Sequence, residues 1–214
     1  MSATEQPRRV IQDQRGQSLL EMLIAVFILV AATTATLTLI ISSINAGKES
    51  RSKMIATSLA REGVELVRNI RDSNWIDPSP LYWDTGISFC PSTCDPTAVP
   101  TVDEVNPMTL NFAASSFTDA AAAVKLSANR YLQNTAAGSY STFYRLIYIT
   151  QICQDAAGAE KLASAINNTD ACNSGDFVGY PTKVGIRVVS EVRWPSPAGR
   201  KVQVEDRLYN WQVL

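Results

Sequence analysis

Residues 22–41, MLIAVFILVAATTATLTLII, contain no charge, no glycine and no proline. In a helix at 1.5 Å per residue such a run reaches about 30 Å, the thickness of a bilayer's hydrocarbon core. It predicts a membrane-spanning helix, so a water-soluble fold must be built from the rest of the chain. A secretory signal peptide has a shorter apolar stretch, about 7–15 residues, followed by a small-x-small cleavage site. This run is longer and contains no Ala-x-Ala. Directly before it, in RGQSLLEML, stands Glu21. A carboxylate at the bilayer centre costs about 2.5–3.5 kcal/mol on insertion scales, so an acid inside such a segment asks for a functional explanation.

The flanks set an orientation. Arg8, Arg9 and Arg15 precede the span, whereas Lys48 and Arg51 follow it together with Glu49. The positive-inside rule places the amino terminus in the cytoplasm and the bulk of the chain outside. Helical character continues past Gly47: Ile55, Leu59, Gly63, Leu66 and Ile70 recur at steps of three and four, which makes one apolar stripe. Arg61 with Glu65, Glu65 with Arg68, and Arg68 with Asp72 are spaced as i,i+3 and i,i+4 pairs, which reads as a solvated face whose charges cancel. Asp72, Ser73 and Asn74, with Pro78 soon after, supply stop signals. The expectation is one helix of more than 50 residues, about 80 Å long, apolar all round in its first half and amphipathic in its second.

The totals leave room for one membrane segment and one globular domain: 214 residues, 46% hydrophobic and 18% charged. Nineteen Lys and Arg against 20 Asp and Glu give a net charge of -1, with no chain-wide attraction to nucleic acid. The absence of histidine removes His-based acid–base catalysis, His-activated nucleophiles and most catalytic zinc sites. No Gly-rich phosphate loop and no catalytic constellation emerges, so neither an enzyme nor a cofactor is expected.

Gly16 followed by QSLLEMLIAVFILVA resembles the class III signal of type IV pilins and type II secretion pseudopilins: a short charged leader ending in Gly, a hydrophobic start, Ser or Thr, two aliphatics, Glu, and about 20 apolar residues. Gly16 matches the last leader residue, Gln17 the first mature residue, Ser18 the hydroxyl position, Leu19 and Leu20 the aliphatics, and Glu21 the glutamate. The resemblance implies cleavage by prepilin peptidase between Gly16 and Gln17, methylation of the new Gln17 amine, and pairing of Glu21 with the terminal amine of a neighbouring subunit. A charged partner of good geometry recovers much of the cost of a buried carboxylate. Gln17 and Glu21 are also one turn apart, so an intrachain pair is open before assembly. Two features depart from the family pattern. Gln17 stands where Phe is usual, and Thr33, Thr34, Thr36 and Thr38 occupy the region where major pilins carry a proline. Those hydroxyls are expected to bond back onto the preceding turn.

This gives an α+β, pilin-like fold class: a long amino-terminal helix, part membrane and part amphipathic, packed on an antiparallel sheet. The expected organisation is a leader at 1–16, the membrane and assembly half of the helix at 17–47, its amphipathic half at 48–75, a variable connecting region at 76–141, and the sheet of the head at 142–214. The connecting region, rich in Pro, Ser, Thr, Asn and Ala, predicts one or two short strands, around Met108 to Phe112 and Lys125 to Leu132. Strand signals are stronger in TFYRLIYITQIC from Thr142, in TKVGIRVVSEVRW from Thr182, and in KVQVEDRLYNW after the turn PSPAGR. In the second of these, Val184, Ile186, Val188, Val192 and Trp194 share one face. Lys183, Arg187, Glu191 and Arg193 share the other, and with Lys201, Glu205 and Arg207 they read as a solvated face rather than a nucleic-acid stripe. The late strands also resemble minor pilins.

All four cysteines, Cys90, Cys94, Cys153 and Cys172, lie in the part expected to be exported, which favours two disulfides among three connectivities. The expected pairs are Cys90 with Cys94 across CPSTC and Cys153 with Cys172 around a polar insertion. The spacing is poor for a zinc ribbon, so no metal is expected. The functional expectation is a structural subunit, a minor pilin of a type IV pilus or related filament, whose partners are other pilin subunits, prepilin peptidase and the membrane. It would be held in the cytoplasmic membrane and then incorporated into an extracellular or periplasmic filament. The alternatives are a pseudopilin of a type II secretion system and a single-pass anchored binding protein that does not assemble.

Overall fold

The structure, a computed structural model, describes residues 15–76, 83–87, 97–102, 109–112, 116–163, 172, 179–195 and 199–211. One helix, α1 (Arg15–Ile76), runs for 62 residues, followed by eight strands among the described residues: β1 (Thr97–Thr101), β2 (Thr109–Asn111), β3 (Ala123–Ser127), β4 (Arg130–Gln133), β5 (Ser139–Gln154), β6 (Glu160–Leu162), β7 (Thr182–Arg193) and β8 (Lys201–Tyr209). The architecture is α+β and pilin-like, a long amino-terminal helix with an antiparallel sheet. The chain divides after Ser50 into two compact units.

The first unit contains the apolar part of α1. Its side chains from Ser18 through Lys48 are exposed, Phe27 at 75% and Leu19 at 66% among them. The threonine hydroxyls do what their position predicts: Thr33 donates to the Val30 carbonyl at 2.9 Å, Thr36 to Thr33 at 2.8 Å, and Thr34 and Thr38 each to carbonyls three and four residues back. Each hydroxyl is thereby satisfied within its own helix, which is what apolar surroundings demand of a polar group.

In the second unit the sheet is organised on β5, the longest strand at 16 residues. Along one edge β5 pairs with the whole of β7, and β7 pairs with β8, so these three form the antiparallel meander expected from the alternating sequence. Along the other edge β5 pairs in succession with β3, β1 and β6. One face of the meander carries Ile147 and Ile149 of β5, Ile186 and Val188 of β7, and Leu208 of β8, packed against Val64 and Val67 of α1. A second cluster joins Ala56, Leu59 and Ala60 of α1 to Val124, Phe143, Val192 and Trp194. The buried stripe of α1 is wider than the sequence pattern, because Ala56, Ala60, Val64 and Val67 go under while Ile55 and Ile70 remain half-buried. The small alanines and Gly63 let the helix backbone approach the sheet.

Among its described residues the connecting region holds four strands and the start of β5, where one or two were expected. The stretch expected around Lys125 to Leu132 is two strands, β3 and β4, joined at Ala128 and Asn129 with positive φ (45° and 64°), the geometry that closes a tight hairpin. β2 falls within the other expected stretch. β1 carries Pro100 and is buried at four successive positions, so it shows no alternation for sequence reading to detect.

The face of the sheet turned away from α1 is also covered in part. Leu146, Val99 and Ala122 form a small cluster under Phe117 and Tyr148, and the Arg193 guanidinium lies 4.0 Å from the Phe117 ring. Glu191, expected on a solvated face, is accordingly buried, and its carboxylate accepts from Arg193 at 2.5 Å and from Gln203, with Lys201 at 3.5 Å. The other basic residues of this face are paired too: Lys183 with Asp84, Arg187 with Glu205 at 2.5 Å, and Arg207 with Glu160 at 3.7 Å. Arg187 holds the Glu205 carboxyl below its ordinary range through their hydrogen bond. On α1 the sequence pairing is revised: Arg68 meets Glu65 at 2.5 Å but reaches across to Asp206 of β8 at 2.6 Å, leaving Asp72 to Arg71.

One polar network crosses the helix–sheet layer. Arg145 of β5 has a side chain 1% exposed. Its Nε donates to Gln133 Oε1 at 2.8 Å, and its Nη1 donates to the Leu59 carbonyl at 3.0 Å and to Glu62 Oε2 at 3.1 Å. Burial pushes the guanidinium pKa down, and Glu62 opposes that shift. Gln133, also fully buried, donates to the carbonyls of Ala121, Ala122 and Arg145.

Candidate processing and assembly site

The first turns of α1 bring the residues of interest into one short segment. The backbone is helical from Arg15, so Gly16 and Gln17 lie in the first turn and Glu21 follows one turn after Gln17. Glu21 is exposed and makes no ion pair among the described residues. Leu19, Leu20, Met22 and Leu23 beside it are exposed as well. A carboxylate is thus displayed on a bare apolar helix rather than drawn into a folded core. In water such a surface would be unfavourable, because about 25 cal/mol is at stake for each Å² of apolar area. The helix is long and apolar enough to cross a membrane, and its most apolar stretch is not buried.

In the head, Cys153 and Cys172 form a disulfide, with S–S 2.04 Å and Cα–Cα 5.4 Å, one of the two pairs expected. Cys90 and Cys94 lie outside the described residues. The bridge packs with Ala163 and Tyr180 and ties Cys172 to the end of β5, while Glu160 of β6 accepts from the Tyr209 hydroxyl of β8 at 3.0 Å. No group of acidic or cysteine side chains among the described residues is arranged to hold a metal ion. Among the polar side chains that sequence reading missed are Arg145, Gln133 and Glu191, all buried in the head. Their types are those of surface residues, and only contacts distant in the chain reveal their burial.

Residues 11–37 match the family described as the prokaryotic N-terminal methylation motif. The match contains Gly16, Gln17 and Glu21 and runs into the apolar helix. Neither curated proteins nor solved structures gave a match to the chain. The motif supports a type IV pilin-like or pseudopilin protein of the kind processed by prepilin peptidase, which points to a structural subunit rather than an enzyme, and the apolar helix fits a membrane anchor of such a protein. The chain therefore carries, at residues 11–37, the class III signal of type IV pilins and pseudopilins.

Proposed function

We propose that this chain is a minor structural subunit of a type IV pilus or related filament. Prepilin peptidase cuts between Gly16 and Gln17 on the cytoplasmic side, α1 anchors the product in the cytoplasmic membrane with the head outside, and the subunit then joins the filament through α1. The observation that carries the reading is the methylation motif at residues 11–37 leading directly into an uncovered apolar helix. Glu21 pairs with the terminal amine of a neighbouring subunit, so that assembly supplies the counter-charge that the carboxylate lacks. Gln17 at the first mature position and a head elaborated by a disulfide-closed insertion favour a minor subunit over the major one. A type II pseudopilin shares the same motif, and neighbouring genes separate the two: a retraction motor with other pilins for the pilus, a secretin with secretion components for the pseudopilus.

Mass spectrometry of the mature amino terminus, on protein from sheared surface filaments, is the test. The expected first residue is Gln17, and an intact Met1 in a peptidase-competent cell would sink the reading. Glu21→Ala is expected to be exported and cut as wild type yet to be depleted from filaments. Incorporation at the wild-type level would remove the pairing role.

A further inference from the structure

Cleavage after Gly16 creates an amine on a residue that carries its own electrophile. The side chain of Gln17 ends in a carboxamide, and the amine freed by cleavage is separated from that carbon by the number of bonds that closes a five-membered ring. From this, and resting on the cleavage proposed above, we infer that mature Gln17 cyclises to pyroglutamate, so that the subunit ends in a neutral lactam instead of an ammonium group. The amine nitrogen attacks the carboxamide carbon and forms the lactam bond. The bond from that carbon to the carboxamide nitrogen breaks, and ammonia leaves with the proton the amine gives up. No oxidant, reductant or cofactor takes part.

Two physical arguments favour closure. Well-oriented intramolecular groups reach effective molarities of about 10⁵ M or more, so an amine tethered to its electrophile needs no second molecule to meet it. Ring closure also discards a charge at the edge of an apolar run. The side chains from Ser18 to Phe27 are exposed on α1 and apolar apart from Ser18 and Glu21, and an ammonium held among apolar groups pays a desolvation cost that a lactam avoids. The Phe usual at this position in the resembling family offers no such electrophile. A cyclised subunit keeps Glu21 but lacks the ammonium, so it accepts a neighbour's amine and offers none in return. Its place in a filament is then one-directional.

The test uses full-length protein from cells, with membranes and sheared filaments collected separately. Both are reductively dimethylated with isotope-labelled formaldehyde before digestion, which traps every free amine and prevents ring closure during handling, and are then cut after Glu21. The expected product is a peptide starting at residue 17, one ammonia lighter than its sequence and free of label, in the larger share of molecules; a ring bearing a methyl group counts with it. An open-chain Gln17 that is labelled or enzymatically methylated overturns cyclisation while leaving the cleavage intact. A peptide that still contains Gly16 overturns the cleavage and the cyclisation together. Gln17→Phe serves as the control, and its amine is expected to be recovered either labelled or methylated.

Discussion

Gly63 offers a sharp test of how closely α1 lies on the sheet. A Cβ placed on Gly63 would sit 2.4 Å from Ser190 Oγ, 3.1 Å from Ser190 Cβ and 3.5 Å from Arg145 Cδ. In an isolated helix, glycine to alanine is favourable by about 1 kcal/mol. Here the added methyl must displace a hydroxyl on a fully buried strand residue, and overpacking of that kind costs about 1–3 kcal/mol. The balance for Gly63→Ala is a net loss of roughly 1 kcal/mol, with about 2 kcal/mol as the upper end. Among the described residues the Ser190 hydroxyl has no hydrogen-bond partner, and an unsatisfied buried group costs about 1–3 kcal/mol, so Ser190→Ala alone is expected to be neutral or stabilising. The double variant also removes the 2.4 Å contact and should recover the helix propensity. The two changes together are thus more stable than the sum of the single effects, with a coupling of about 1 kcal/mol or more. Urea unfolding of the full chain in detergent, followed by tryptophan fluorescence, measures all four corners of the cycle. If Gly63→Ala is as stable as wild type or more so, and the cycle shows no coupling, the close approach of α1 to β7 is wrong.

Two further outcomes follow from the head. Glu62→Ala leaves the buried Arg145 guanidinium without its carboxylate and is expected to cost about 3 kcal/mol. Arg145→Met removes the buried charge and leaves a Glu62 that is 41% exposed and can hydrate, so it should cost less; the same urea assay checks this order, and a larger loss for Arg145→Met would refute it. Replacing Cys153 and Cys172 with serine opens a loop whose ends are 19 residues apart in sequence, and the chain-entropy model gives a loss of about 3 kcal/mol. That loss should show as a lower urea midpoint with wild-type secondary structure by circular dichroism.

Where the sequence could be read, the information was local. The uncharged run, the three- and four-residue steps from Ile55 to Ile70 and the two-residue alternation from Thr182 each report the repeat of a single element, and α1, β7 and β8 formed where those repeats lie. Near Lys125 the apolar pattern was present, but the two-residue turn at Ala128 and Asn129 carries no glycine to announce it, so one strand was expected where two stand. β1 escaped because both of its faces are covered and its burial does not alternate.

By itself the amino-terminal sequence determined the apolar helix, the position of the Gly16–Gln17 bond and the placing of Glu21 one turn later, because each depends only on residues adjacent in the chain. The tertiary structure decided which polar groups go inside. Arg145 reaches a carboxylate 83 positions away, Arg68 reaches Asp206 at 138, and Glu191 lies buried beside a sheet face that the Phe117 segment partly covers. Burial is a property of what packs against a residue. A charged side chain can be hidden wherever distant segments bring it partners, and no periodicity in its own strand records them.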